Sequence, residues 1–286
     1  MSALADHRIL LVNDDGIDAP GMRVLEAVAR QLAEEVFVVA PEENQSGASH
    51  SLSIGMPVRV RKVDRYHYAV TGSPAECVML ALHELLTDNR PTVCLAGINR
   101  GPNLADDTAY SGTIAAARES TQLGVPAVAM SQVFVPGEKN FGLGEDRRIH
   151  WETSERWAPP VLKRLLATAW DDSVFMNLNF PGVPPDQVRG LRITRQGRRP
   201  PGCYVLEQDE DAAGEPYYRM LLAYEDGSPG PDSDIKAIAD GYISLSPLGL
   251  DLTATESLQT LAEDMDDMDE LNDLRDRAGS ESGDSG

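Results

Sequence analysis

Two adjacent carboxylates, Asp14 and Asp15, close the run Ile9-Leu10-Leu11-Val12-Asn13-Asp14-Asp15-Gly16. Neighbouring like charges at the mouth of an apolar strand repel unless a cation or a proton lies between them. Oxygen ligands of this kind suit a hard divalent metal such as Mg, Mn or Ca. Asp15-Gly16 is also a common turn dipeptide. A hairpin would need a second strand at once, however, and Ala19 to Val28 reads as loop and then helix. Two further polar loops follow apolar runs. Glu42-Glu43-Asn44-Gln45-Ser46-Gly47-Ala48-Ser49 comes after Val39-Ala40, and Gly97 to Thr113 comes after Leu95-Ala96. Within the latter, Ser111-Gly112-Thr113 opens an apolar helix that begins Ile114-Ala115-Ala116-Ala117. The free N–H groups and positive dipole end of such a helix form either a phosphate site or a plain Ser/Thr cap. A divalent cation beside a phosphate cradle amounts to a metal-assisted phosphoryl-transfer site.

The elements that must position these loops are legible as a pattern. Apolar runs at 8–12, 36–40, 92–96 and 126–130 alternate with helical spacing at 21–32, 73–86 and 114–123. Near-continuous apolar strands between helices predict an α/β fold with a mostly parallel sheet covered on both faces. In such a sheet all three loops leave the same edge and can converge. Ser73-Pro74-Ala75-Glu76 carries a capping box with proline in the first turn. A helix over 154–169 is expected to kink or restart at Pro159-Pro160. Residues 174–180 alternate like a strand, and 190–250 read as β-rich, extending the sheet or reaching out as arms. An arm carrying Tyr242, Ile243 and Leu245 cannot bury them alone, so it is expected to pack on a second subunit. The resulting division is 1–189 as the α/β core, 190–258 as a β-rich extension and dimerisation arm, and 259–286 as an acidic tail.

Composition excludes several classes. With 286 residues, 42% of them hydrophobic, the chain can bury one substantial core, or one core plus a small lobe. A net charge of −21 argues against a nucleic-acid surface. Ten acidic residues against two arginines from Gln259 to Gly286 account for −8 of it, leaving −13 elsewhere. Glu263 to Glu270 suits a short acidic helix, but like-charge repulsion and few large apolar residues weigh toward disorder for that tail. No apolar run approaches the roughly eighteen residues of a membrane span, and the N-terminus lacks a charged n-region. The expectation is a soluble cytoplasmic protein. Cys77, Cys94 and Cys203 are far apart and read as reduced thiols. Dinucleotide, P-loop, nucleophile-elbow and HExxH motifs are all missing. His50, the one histidine near the proposed site, reads as loop packing or solvent-exposed in preference to catalytic.

The opening Ile9 to Gly21 resembles that of the SurE family, the survival protein E nucleotidases. Val39-Ala40-Pro41 with Ser46-Gly47-Ala48-Ser49 is similar to that family's second motif. Gly97-Ile98-Asn99-Arg100-Gly101-Pro102-Asn103 with Tyr110-Ser111-Gly112-Thr113 is similar to its third. Gly72-Ser73-Pro74-Ala75-Glu76-Cys77, Arg192 to Arg195 and Asp240 to Leu248 extend the likeness over roughly 8–256. The resemblance implies a Rossmann-like core and a metal-dependent phosphatase for nucleoside 5′-monophosphates, with 3′-nucleotides and short polyphosphate as further candidates. It implies one divalent cation per subunit, Mg or Mn, on Asp14, Asp15, Ser46 and Asn99. Phosphate falls to Asn103, Ser111, Gly112 and Thr113, with Asn44 close by. It also implies homodimers that exchange C-terminal segments, with tetramers as a further state. Asp14 is the chosen proton acceptor, and Asp15 is the alternative. A non-catalytic nucleotide or phosphate sensor using the same cradle is the reading from another class.

Overall fold

The computed structural model describes residues 7–136, 147–200, 204–211, 214–222 and 230–265. Strands β1 (Arg8–Val12), β2 (Glu35–Pro41), β3 (Val60–Lys62), β4 (His67–Val70), β5 (Val93–Arg100), β6 (Ala127–Gln132) and β7 (Val174–Phe180) lie in one sheet with β8 (Leu191–Ile193) and β11 (Ile243–Gly249). Its order is β3-β4-β2-β1-β5-β6-β7-β11-β8. The six strands from β4 to β7 are mutually parallel, whereas β3 runs against β4, and β11 runs against β7 but parallel to β8. Strands β9 (Tyr204–Glu210) and β10 (Pro216–Leu222) form a separate antiparallel hairpin.

Both faces of the sheet are covered, which is why the central strands carry near-continuous apolar runs such as Ile9–Val12 and Val36–Ala40. On one face Ile9 and Leu11 pack with helices α1 (Pro20–Ala29) and α4 (Trp151–Leu166). On the other, Leu10 and Val12 pack with α2 (Pro74–Leu80) and α3 (Gly112–Gln122). The expected capping box opens α2: Ser73 Oγ accepts from Glu76 N, and Glu76 Oε2 accepts from Ser73 N at 2.7 Å. A short π-helical turn, Ala81–Leu85, continues it.

Three expectations change. Helix α4 does not restart at Pro159 and Pro160 but continues through both as one element. The donors that these prolines lack would face the carbonyls of Glu155 and Arg156, which sit on the solvent side. Ala158, Leu162 and Leu165 meanwhile bury the opposite face. Second, the strand with Ile243 and Leu245 is no arm. As part of β11 it pairs with β7, and both side chains are buried in this subunit's own core. The missing partner is a strand about 65 positions back, which local sequence does not announce. In the β9–β10 hairpin, Leu206 and Tyr218 face solvent. Third, residues 259–265 are helical within α6 (Thr255–Met265), which follows the short helix α5 (Asp234–Ala239). Leu258, Leu261 and Met265 fall at helical spacing there, and Glu256 suits the positive end of the helix dipole. Residues up to Leu250 pack as one unit, and α6 belongs to a second. Cys77 and Cys94 are buried free thiols, while Cys203 and residues 266–286 lie outside the described residues.

Candidate active site

In the order β4-β2-β1-β5-β6-β7, the chain turns from one half of the sheet to the other between β1 and β5. Ligands of open α/β sheets bind outside the carboxyl ends of the strands at that switch point. Asp14 and Asp15 follow β1, while Asn99 lies at the end of β5. Close contact between α1 and this loop needs a glycine, since a Cβ on Gly21 would stand 1.9 Å from the Ile98 carbonyl oxygen.

Asp14 is buried, and its Oδ1 accepts from the Thr113 hydroxyl at 2.6 Å. Burial and the neighbouring Asp15 charge push its carboxyl up to about 6, while Thr113 pulls the other way. Asp15 accepts at Oδ2 from Arg100 N at 3.0 Å. Burial raises its pKa too, and the Arg100 N–H and charge oppose that. Asn13 donates Nδ2 to the Gly16 carbonyl at 2.7 Å, leaving its buried Oδ1 without a partner among the described residues. Thr113 is therefore engaged in holding Asp14. Ser111 Oγ accepts from Ile114 N as the cap of α3, and in doing so keeps its own proton to donate. Gly112 N–H belongs to a first helical turn that has no intrahelical acceptors. Its missing side chain matters, because a Cβ there would meet Asp14 Cβ at 2.8 Å and Asp14 Oδ2 at 3.1 Å.

The second loop joins the first through Gln45 N to Asp14 O at 2.7 Å and Ile17 N to Pro41 O at 2.8 Å. Asn44 and Ser46 are exposed at its tip, where Asn44 Oδ1 accepts from Ser46 N. Ser49 Oγ donates to Ala109 O at 2.8 Å and so ties this loop to the third. His50 pairs with Glu119 on the flank of α3 at 2.7 Å, about two helical turns beyond Gly112. That is the packing role its sequence context favours.

In the third loop, Asn99 Nδ2 donates to Gly101 O at 3.1 Å. Asn103 donates Nδ2 to Ser131 Oγ at 2.8 Å, and its backbone N to Asn179 Oδ1 at 3.0 Å. Its carbonyl accepts from Asn177 Nδ2 at 2.8 Å. Ser131, Asn177 and Asn179 were not singled out from the sequence. The signal was present, since Asn177 and Asn179 are two amides on one face of an otherwise apolar strand.

Among the described residues no cluster of three His, Cys, Asp or Glu side chains exists, so any cation here takes two carboxylates and otherwise neutral oxygens. The donor set fits a hard divalent ion. Asp14 is held above its ordinary value by burial and by Asp15, a strain that positive charge relieves, and Asn13 Oδ1 is an orphaned oxygen one residue away.

The chain's likeness to known proteins spans the segment that holds these residues. The profile of the family described as “Survival protein SurE” matches residues 9–202. The chain is 45% identical over 254 residues to the “5′-nucleotidase SurE” of Parvibaculum lavamentivorans, covering 89% of each chain. Its identity to the protein of the same description in Hyphomonas neptunium is 46% over 256 residues, covering 90% of this chain and 98% of the other. Among solved structures, the SurE protein from Aquifex aeolicus matches with a TM-score of 0.73 at 33% identity, covering 90% of this chain and 98% of that one.

Proposed function

Given that this chain belongs to the survival protein SurE family, we propose that it is a 5′-nucleotidase, a metal-dependent phosphomonoesterase releasing phosphate from nucleoside 5′-monophosphates. The observation that carries this reading is the 2.6 Å bond from Thr113 to Asp14, which joins the acidic strand end to the start of α3. Asp14, Asp15, Ser46 and Asn99 would hold one cation, Mg or Mn. When bound, it supplies charge neutralisation and Lewis acidity. Ser111 and the Gly112 N–H receive phosphate oxygens at the positive end of the helix. Asn103 anchors the other end of the loop through the Ser131, Asn177 and Asn179 network, and Asn44 lies at the rim. Thr113 fixes the orientation of Asp14, and Asp14 Oδ2, which faces Gly112, takes the proton of the attacking water.

Phosphate release from a nucleoside 5′-monophosphate should fall to background after exhaustive chelation and return when Mg or Mn is added. Undiminished release in the chelated protein would remove the metal from the reading. Tight nucleotide binding with no release at any metal concentration would make the protein a sensor.

The same reading takes the protein as a homodimer whose β9–β10 hairpin contacts the second subunit. A hairpin with Leu206 and Tyr218 exposed on two strands has no core of its own to stabilise it. Replacing both with serine should shift light-scattering mass toward the monomer. An unchanged mass distribution would place the interface elsewhere.

A further inference from the structure

The segment between Asn103 and Ser111 is a single 3-10 turn, Ala105–Ala109, entered through Ala105 in the left-handed region at φ +49°. A non-glycine residue in that conformation persists only where its surroundings impose it. The imposing groups come from the far end of the chain. Arg199 grips Asp107 with both arms of its guanidinium, Nε to Oδ1 at 2.9 Å and a second nitrogen to Oδ2, across 92 positions of sequence. Both side chains are about nine-tenths buried, at 8% and 10% exposure. The Arg199 backbone N adds a bond to Asp106 Oδ2 at 2.7 Å. Gln196 Nε2 reaches Ala105 O at 2.9 Å, and the Asp234 carboxylate accepts from the N–H groups of Ala105 and Gly197.

Resting on the phosphatase reading, we propose that Arg199 and Asp107 are positioning residues. Their buried pair fixes the turn so that Asn103 and the Ser111–Gly112 helix start are held at the spacing that a phosphate group needs. Neither side chain touches substrate. A bidentate guanidinium–carboxylate pair sets direction as well as distance, which lysine cannot reproduce. The pair sits between Asn103 and Ser111, so its loss is felt first by the phosphate; Asp14, Asp15 and Asn99 at the ends of β1 and β5 keep their own supports, and Ser46 is reached through the Ser49–Ala109 bond.

Arg199→Met is the test, read in the full-length protein. Hydrogen exchange across 104–113 should quicken while exchange in β1 and β5 stays as in the parent. The KM for a nucleoside monophosphate and the inhibition constant of inorganic phosphate should both rise by about tenfold or more. The metal concentration for half-maximal activity should move less than either constant. Arg199→Lys should recover only part of the loss. Should Arg199→Met fail to fold, the double variant Arg199→Met/Asp107→Leu replaces the pair by apolar groups, a change that buried pairs tolerate. It should regain the parent's melting temperature while its phosphate inhibition constant stays raised. Parental exchange rates and kinetic constants in a folded Arg199→Met protein would overturn the proposal. So would a double variant that recovers phosphate affinity together with stability. A parent that releases no phosphate would refute the phosphatase reading instead, and the exchange measurement would still test the clamp.

Discussion

Asp14→Asn should abolish most of the metal-dependent phosphate release and, without metal, make the protein more stable than its parent at neutral pH. The second half follows from the sign of the shift. Burial and the Asp15 charge raise the folded-state pKa of Asp14 from 3.8 to about 6. The folded chain therefore holds that proton more tightly than the unfolded chain. Stability from this group is fully present below about pH 4 and is lost as pH rises through about 6. Two pKa units correspond to about 3 kcal/mol. Asparagine keeps the shape and can still accept from Thr113, but it carries no charge to repel Asp15. Unfolding of both chelated proteins between pH 4 and 7 should show a decline in the parent that is much reduced in the variant. Added Mg or Mn should raise the melting temperature of the parent and do much less for Asp14→Asn. Parallel pH profiles, or an Asp14→Asn protein as active as its parent, would mean that the two aspartates form only a turn.

Gly112→Ala should reduce kcat/KM by about 10² to 10³ while the protein remains folded. The added methyl would stand 2.8 Å from Asp14 Cβ and 3.0 Å from Pro74 Cγ. Overpacking of this kind costs about 1–3 kcal/mol, which a well-packed domain survives. The damage to function comes from displacement. Asp14 and the start of α3 must move apart, and the Thr113 bond that orients Asp14 lengthens or breaks. A folded Gly112→Ala protein with parental kcat/KM would show that strand end and helix start need not approach so closely for turnover.

What the sequence could reveal tracks what is encoded locally. The strands β1, β2, β5 and β6 are continuous apolar runs, and Ser73 with Glu76 is a cap contained in four residues, so each was readable without its neighbours. The placement of Asp14, Asn44, Ser46 and Asn99 at carboxyl ends followed from the same pattern. Hidden from it were elements with no burial to impose periodicity. β3 is exposed throughout, and β9 carries the exposed run Glu207-Gln208-Asp209-Glu210. Long-range polar partners were hidden as well. Nothing near Arg199 announces Asp107, and nothing near Asn103 announces Asn177. Thr113 was read as a phosphate donor because its position at a helix start is visible, whereas its bond to Asp14 across 99 positions is not.

The inner strand β1 precedes the other described strands of its sheet in the chain, and this has a consequence in time. β1 takes β2 as one neighbour soon after leaving the ribosome, but its other neighbour, β5, begins only at Val93. Until then one edge of the apolar strand stands open, and loop closure over that span must precede any reward from pairing. The edge strand β8 waits too, over a shorter span, because its sheet partner among the described residues is β11, about fifty residues downstream. Synthesis from the N-terminus thus leaves two unfinished edges in succession. Slowing translation between β2 and β5 should increase the yield lost to aggregation more than the same pause placed after β11.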